Sequence, residues 1–326
     1  MPKIIYCPTR RISRTFTNQA KTARPKPAYL GPVDEQFLPQ RRPNTRSGFA
    51  AGNARKELRE ERKMTDFRKR LLAGELMMGS FVKTPATHTI EVLGDIGFDF
   101  VVIDEEHAPF DRGTIDRAIL AARASGTSPI VRVAGADPSK LLAVLDDGAE
   151  GVLIPHVYSA EIARKAVSAC RYRSGSRGIS NTTRAGGYGR LGLWEHVDIQ
   201  DAAVTVIAMI EDPQALDAID DIVATDGLDA VFVGRGDLAV AMGAEGQNAP
   251  DVLAATARII EAAKAAGKPA IIMVGSAKEG QSFLKDGFNG FIIGSDHSFM
   301  RQAAIPALKA FSELRPQPKQ EDASHG

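Results

Sequence analysis

Four stretches of the sequence place groups able to do chemistry at the ends of apolar runs. Asp104, Glu105, Glu106 and His107 close the run in FDFVVIDEEHAPFD; Arg132 sits in PIVRVAGADP; Glu211 ends the run in MIED; Asp237 ends VFVGRGD. Any one of these has an ordinary explanation. Three acids after a strand make a solvated loop, and a lone Arg or Asp at a strand end is often part of an ion pair. Together they form a set. Glu211 and Asp237 offer hard oxygen ligands of the kind that hold Mg²⁺ or Mn²⁺. No histidine stands in zinc-motif spacing with them. Arg132 has the planar fork that clamps a carboxylate or polarises a carbonyl. His107, with Asp104 or Glu106 to orient and balance it, is of the type that acts as a general base near neutrality. These are the parts needed to make an enolate and stabilise it on a metal.

Such a set works only if several elements deliver it to one place. From Met64 onward apolar runs recur at Met77–Val82, Phe98–Ile103, Pro129–Val133, Gly151–Pro155, Val204–Ile210, Ala230–Val233, Ala270–Val274 and Gly290–Ile293. Unbroken runs of this length read as strands buried on both faces, as in a parallel sheet. Between them apolar residues repeat three and four apart, predicting helices over Thr87–Asp95, Arg112–Ala124, Pro138–Leu145, Ala160–Cys170, Pro213–Ala224, Val252–Ala266 and Ala277–Lys285, with a last helix from Ser298 to Leu314. Several close on glycine, the residue that tolerates a left-handed stop. Eight strand-and-helix units predict a single (β/α)₈ barrel over residues 64–326, with a doubly wound open sheet as the alternative. Active sites of such barrels lie at the C-terminal ends of the strands. The four polar stretches occupy those ends.

The net charge of +1 conceals a division. Residues 1–63 carry 15 Lys or Arg against 5 Asp or Glu and 7 of the 18 prolines, leaving 26 against 35 in the remainder, a net of −9. The first 63 residues show no sustained apolar period and are expected to be a disordered basic extension. An early-called start, with Met64 as the true first residue, is the plainest account of it. A targeting peptide and a nucleic-acid arm are weaker ones, for lack of an amphipathic helix and of interleaved aromatics respectively. No apolar run is long enough for a membrane span, and Cys7 and Cys170 are too few for a disulfide framework. The expected location is the cytoplasm, without nucleic-acid or membrane partners.

Taken in order, GFDFVVIDEEHAPFD, PIVRVAGADPSKLLAVLDDGAEGVLIPHV, RGISNTTRAGGYG, MIED and GLDAVFVGRGDLAVAMG resemble the HpcH/HpaI family of metal-dependent (class II) pyruvate aldolases from about Gly79 to Ser295. The resemblance implies a lyase that reversibly cleaves a 4-hydroxy-2-oxo acid to pyruvate, or a related 2-oxo acid, and an aldehyde. It implies Glu211 and Asp237 as ligands of Mg²⁺, Mn²⁺ or Co²⁺, His107 as base with Asp104 as its partner, and Arg132 on the carbonyl. Asp146 would be a further active-site acid, serving a neighbouring subunit, and the backbone of Gly234, Arg235, Gly236 and Asp237 would hold the pyruvate carboxylate. It also implies a homohexamer, a trimer of dimers with the last helix exchanged. A malyl- or citramalyl-CoA-type lyase on the same barrel and a non-catalytic assembly module are the competing readings.

Two positions depart from the family pattern: Met209 stands where QIE is usual, and Arg235 where proline is usual. Arg235 is expected to favour an acidic substrate, or else to face solvent or a subunit contact. Lys83 is the nearest candidate for imine chemistry; Lys268 precedes a strand and falls at the wrong end. GYGRLG matches GxGxxG but lacks the strand and helix of a dinucleotide fold. The segment Ser174–Trp194 is expected to be a long loop over the rim, a lid or a subunit contact. His88, His156, His196 and His297 have no motif behind them, although His156 falls at a strand end.

Overall fold

The computed structural model describes residues 67–312, 314 and 315. The expected basic extension, residues 1–63, lies outside the described residues. Eight parallel strands close into a barrel in sequence order: β1 (Met77–Val82), β2 (Phe100–Asp104), β3 (Ser128–Arg132), β4 (Gly151–Ile154), β5 (Thr205–Ile210), β6 (Ala230–Val233), β7 (Ala270–Met273) and β8 (Gly290–Ser295). The expected barrel is present, and the open-sheet alternative falls because β8 pairs with β1, Met77 opposite Gly290.

Alternation along each strand sorts the side chains into two cores. Phe81, Phe100, Val102, Ile130, Ile207 and Phe232 point inward and fill the barrel. Val101, Ile103, Val131, Val152, Val206 and Val231 point outward, under the helices. Neither set leaves a lumen, so the barrel is a packed scaffold. Chemistry is confined to its ends.

Helices α2 (Thr87–Ile96), α3 (Arg112–Ser125), α4 (Pro138–Asp146) and α5 (Ala160–Cys170) follow β1 to β4 in turn. Local chemistry fixes their starts. The Asp111 carboxylate accepts from Thr114 N at 2.7 Å while Asp111 N donates to Thr114 Oγ1 at 2.8 Å, a reciprocal cap for α3. Asp137 caps α4 just ahead of Pro138. Gly97 stops α2 at φ 111°, a conformation that a side chain would oppose.

Three helices were not foreseen. α1 (Phe67–Leu72) lies across the N-terminal end of the barrel: the ring of Phe67 packs 5.2 Å from that of Phe100, and Leu71 is fully buried. α6 (Leu193–Ala203) precedes β5. The helix expected over Pro213–Ala224 divides at Ala218 into α7 (Gln214–Asp217) and α8 (Ile219–Val223), because Leu216 N and Ala218 N bond three residues back instead of four. α9 (Arg235–Ala241) follows β6 directly; α10 (Pro250–Ala265), α11 (Ala277–Asp286) and α12 (Asp296–Ser312) complete the ring.

The segment Ser174–Trp194 does not form a lid over the catalytic rim. It leaves the C-terminal end of α5, which runs antiparallel to the strands, and leads through α6 to the start of β5. It is therefore at the N-terminal end, where Arg184, Gly187, Arg190 and Leu191 line one cavity with Phe67, Arg68 and Lys69 of α1. Beneath α1, Asp229 is buried and held by Arg68 at 2.8 Å and Arg171 at 2.9 Å, with its Oδ2 also accepting from Val206 N. There the buried charge of Asp229 is matched within the chain.

Candidate active site

Strand register brings the sequence candidates together at the other end. Asp104 and Arg132 are direct partners across β2 and β3, and Ile210 pairs with Val233, so Glu211 emerges beside Gly234. Asp104 is fully buried and entirely engaged. Its Oδ1 accepts from Arg132 Nε at 2.9 Å and from His107 backbone N at 3.2 Å; its Oδ2 accepts from Arg132 Nη2 at 2.7 Å and from Lys83 Nζ at 2.7 Å. Burial alone would raise this carboxyl, but the hydrogen bonds from Arg132 and Lys83 outweigh it and hold the pKa at about 2. Asp104 thus fixes the guanidinium and the His107 main chain. It does not touch the imidazole.

The acid nearest the His107 ring is Glu106, whose Oε2 lies 3.8 Å from Nε2 and 3.3 Å from Arg132 Nη1. That oxygen is buried and makes no hydrogen bond among the described residues. The His107 side chain is 56 % exposed, so it faces the mouth. Arg132 is buried, stacks over Phe81 at 4.8 Å, and turns Nη1 toward Met209 Sδ at 3.9 Å. Met209 therefore lies against the arginine, its sulfur a weak acceptor for Nη1 beside the Glu106 carboxylate.

Glu211 is 3 % exposed. Its Oε1 accepts from His156 N at 2.9 Å, and its acidity is set mainly by burial, with Asp237 and Glu106 adding repulsion; together they push the pKa up to about 7 against the opposing pull of His156. The backbone of Gly234 passes so close that a Cβ there would stand 2.7 Å from Glu211 Cβ and 2.9 Å from Met209 Cε. Gly236 has open space around it, and Asp237 is exposed at the third position of α9, whose first-turn amides have no acceptor within the helix.

His156, which no motif singled out, is part of this group. Its backbone is left-handed, φ 55°, which aims its amide at Glu211 and its ring at three acids: Asp212 at 3.1 Å, Glu211 at 3.5 Å and Glu106 at 3.7 Å. Burial disfavours its charge, yet those acids raise its pKa overall. His156, Glu211 and Asp212 present ligand atoms within 4.8 Å of one another, a group that could hold a metal ion.

Two sequence candidates stand apart from this group. Asp146 is the last residue of α4, at the N-terminal side of its own barrel, and pairs with Arg177 at 3.0 Å. Arg235 faces neither substrate space nor solvent. Its guanidinium is buried and donates to Asn248 Oδ1 at 2.8 Å, Met273 O at 2.8 Å and Glu279 Oε1 at 2.7 Å over the Phe283 ring, tying α9 to β7 and α11. Lys83, weighed only for imine chemistry, proves to be the second cation on Asp104.

An eight-stranded barrel with a fixed guanidinium, an exposed imidazole and a cluster of carboxylates at the C-terminal mouth has the groups for acid–base and electrostatic catalysis at the end where such barrels carry their active sites. Residues 77–303 match the model of the HpcH/HpaI aldolase/citrate lyase family. The chain belongs to that family and is a carbon–carbon lyase. It is 35 % identical over 249 residues to a 5-keto-4-deoxy-D-glucarate aldolase of Enterobacter sp. (strain 638), covering 76 % of this chain and 96 % of that one. Among solved structures it is similar to a family member from Burkholderia cenocepacia J2315 (TM-score 0.72, 28 % identity, 76 % of this chain and 99 % of that one). It is also similar to the citrate synthase SbnG (TM-score 0.71, 30 % identity, 77 % and 99 %).

Proposed function

We propose that this lyase reversibly cleaves a 4-hydroxy-2-oxo acid to pyruvate, or a related 2-oxo acid, and an aldehyde, with a divalent cation at Glu211 and Asp237. One observation carries the reading. A rigid arginine faces, across one mouth, a buried glutamate that shares its surroundings with two other acids and is driven to about 7 by burial and their repulsion. Such a donor set fits Mg²⁺, Mn²⁺ or Co²⁺, hard cations that would relieve the repulsion. When bound, a cation held by Glu211 and Asp237 would act as a Lewis acid toward the 2-oxo acid.

The remaining work falls to side chains. Arg132, oriented by Asp104, donates to the 2-oxo oxygen as negative charge gathers there when the C3–C4 bond breaks. His107, beside Glu106, takes the proton from the 4-hydroxyl oxygen and returns it to C3, so that the enolate becomes pyruvate. The first-turn amides of α9 hold the carboxylate, and Gly234 gives that backbone its approach.

The proposed assembly is a homohexamer, with Asp146 completing a neighbour's site. Exposed Met300, Ile305, Leu308 and Phe311 on α12 favour an exchanged last helix. Sedimentation should give a hexamer, and a monomer would remove this part of the account. The proposed compartment is the cytoplasm; no helix among the described residues is long and apolar enough to cross a membrane.

The test of the reaction is a panel of 4-hydroxy-2-oxo acids followed by dehydrogenase-coupled detection of pyruvate, with and without Mg²⁺, Mn²⁺ and Co²⁺. Cation-dependent release of pyruvate is expected. Release that survives full chelation, with borohydride fixing pyruvate to a lysine, would contradict the proposal.

A further inference from the structure

The first turn of α9 carries Asp237, and little within that turn holds it in place. α9 is seven residues long and starts at Gly234 without a side-chain cap, so its own hydrogen bonds alone would leave it marginal. Gly236 adds backbone freedom in open space. Leu238 and Ala239 are buried and anchor the middle of the helix, whereas Asp237 is exposed and its carboxylate makes no hydrogen bond or ion pair among the described residues. The side chain that ties the turn down is Arg235.

Arg235 closes a junction of four segments. Its Nη1 donates to Asn248 Oδ1 ahead of α10, and its Nη2 donates to Met273 O at the end of β7 and to Glu279 Oε1 in the first turn of α11, all within 2.8 Å. Glu279 is itself fixed. Its Oε2 accepts from Gly275 N at 2.6 Å, and its amide donates to Ser276 Oγ at 3.2 Å. On the opposite side of the turn Gly234 N donates to Ile210 O at 3.0 Å, next to Glu211. The turn is thus held between β5 and β7. Proline, usual at this position in the family, would set φ of the first helical residue through its ring; Arg235 leaves φ free and restrains the turn through its side chain.

We infer that Arg235 is a positioning residue for the cation site: its buried tether fixes the backbone from Gly234 to Asp237 and so sets the Asp237 carboxylate against Glu211, without touching cation or substrate. The inference rests on the reading above in which Glu211 and Asp237 hold the cation. The competitor is a plain ion pair with Glu279 that stabilises the fold. Stability and cation affinity would then rise and fall together, whereas a positioning role lets them be separated.

The experiment measures Mn²⁺ affinity of the metal-free full chain by calorimetry, alongside its midpoint in denaturant. Arg235→Met keeps an apolar stem but loses every donor, and should weaken Mn²⁺ binding by about ten- to hundredfold, as expected when a group that orients a metal ligand is removed. Its midpoint should also fall, because Glu279 is left without its charge partner. Adding Glu279→Gln removes the stranded charge, so the midpoint should largely recover while Mn²⁺ affinity stays low. Asp237→Asn should weaken binding at least as much as Arg235→Met, and in that background Arg235→Met should change affinity by less than about threefold, since it acts through the ligand already lost. If Arg235→Met binds Mn²⁺ as the unmodified chain does, or if affinity recovers with the midpoint in the double variant, Arg235 serves stability alone and the inference fails. If Asp237→Asn leaves Mn²⁺ affinity unchanged, the assignment of Asp237 as a ligand falls first and takes the inference with it.

Discussion

The two ends of this barrel handle buried acid in opposite ways. At the N-terminal end Asp229 is 3 % exposed and meets Arg68 and Arg171, so its charge is matched within the chain. At the C-terminal end Glu211 is equally buried, yet its neighbours include Glu106, Asp212 and Asp237, and the basic group against it is the ring of His156 at 3.5 Å. The first arrangement stabilises the fold by itself. The second leaves acids beside one another, the repulsion that the proposed cation would relieve at the end where the proposed chemistry takes place.

The contrast can be attacked from either side, and the largest effect is expected at the mouth. Arg132→Lys keeps a charge but loses the fork that Asp104 grips, and should lower kcat by about 10²-fold or more with the fold retained. Turnover near normal would take Arg132 out of the mechanism. Gly234→Ala forces a methyl to within 2.7 Å of Glu211 Cβ and should weaken cation affinity by about ten- to hundredfold, read by titration of activity against Mn²⁺. At the other end, Asp229→Ala leaves two arginines with no buried acid and should cost about 3–5 kcal/mol of stability in denaturant titrations. The specific activity of the folded fraction should not change; if it falls as far as in Arg132→Lys, the two ends are not separable.

A subtler sharpening comes from pH. Glu211 has a folded pKa above its unfolded value, about 7 against 4.5, so the metal-free fold binds the extra proton and loses stability as pH rises through that window. The raised pKa of His156 acts with the same sign, since stability from its charged form is present at low pH and lost as pH rises. Asp104, held at about 2, contributes above its unfolded value of 3.8 and fails only in stronger acid. Metal-free protein should therefore show a thermal midpoint that declines from about pH 5 to about pH 7, and added Mn²⁺ should flatten the decline. A flat profile without metal would mean that Glu211 is compensated in some way that resembles Asp229.

Much of this arrangement can be read from sequence because it follows from period and position. Apolar runs such as Ala230–Val233, spaced between helical periods, read as strands buried on both faces, and in a parallel barrel the residue that ends each run falls at the mouth. What escapes is decided across the chain. Asp104 looks like a partner for the His107 ring three residues away, but strand register sets it opposite Arg132, 28 residues on, and Lys83 reaches it from 21 residues before. Arg235 sits in the right loop to bind a carboxylate, yet its acceptors are 13, 38 and 44 residues further along and draw it outward. His156 enters the site through a left-handed backbone that nothing in LIPHV announces. Ser174–Trp194 looks like a lid until the direction of α5 shows which end it serves.

The central claim, that the mouth is built around a cation that Glu211 holds, is tested most directly by measuring Mn²⁺ binding to metal-free protein by calorimetry at about pH 6, in two buffers of different ionisation enthalpy. One Mn²⁺ should bind per chain with release of close to one proton, because Glu211 is largely protonated there; Glu211→Gln should lose the proton release and most of the affinity while its circular dichroism stays unchanged. Unchanged affinity and proton release in Glu211→Gln, or an unmodified enzyme that binds no Mn²⁺ and still turns over, would contradict the account.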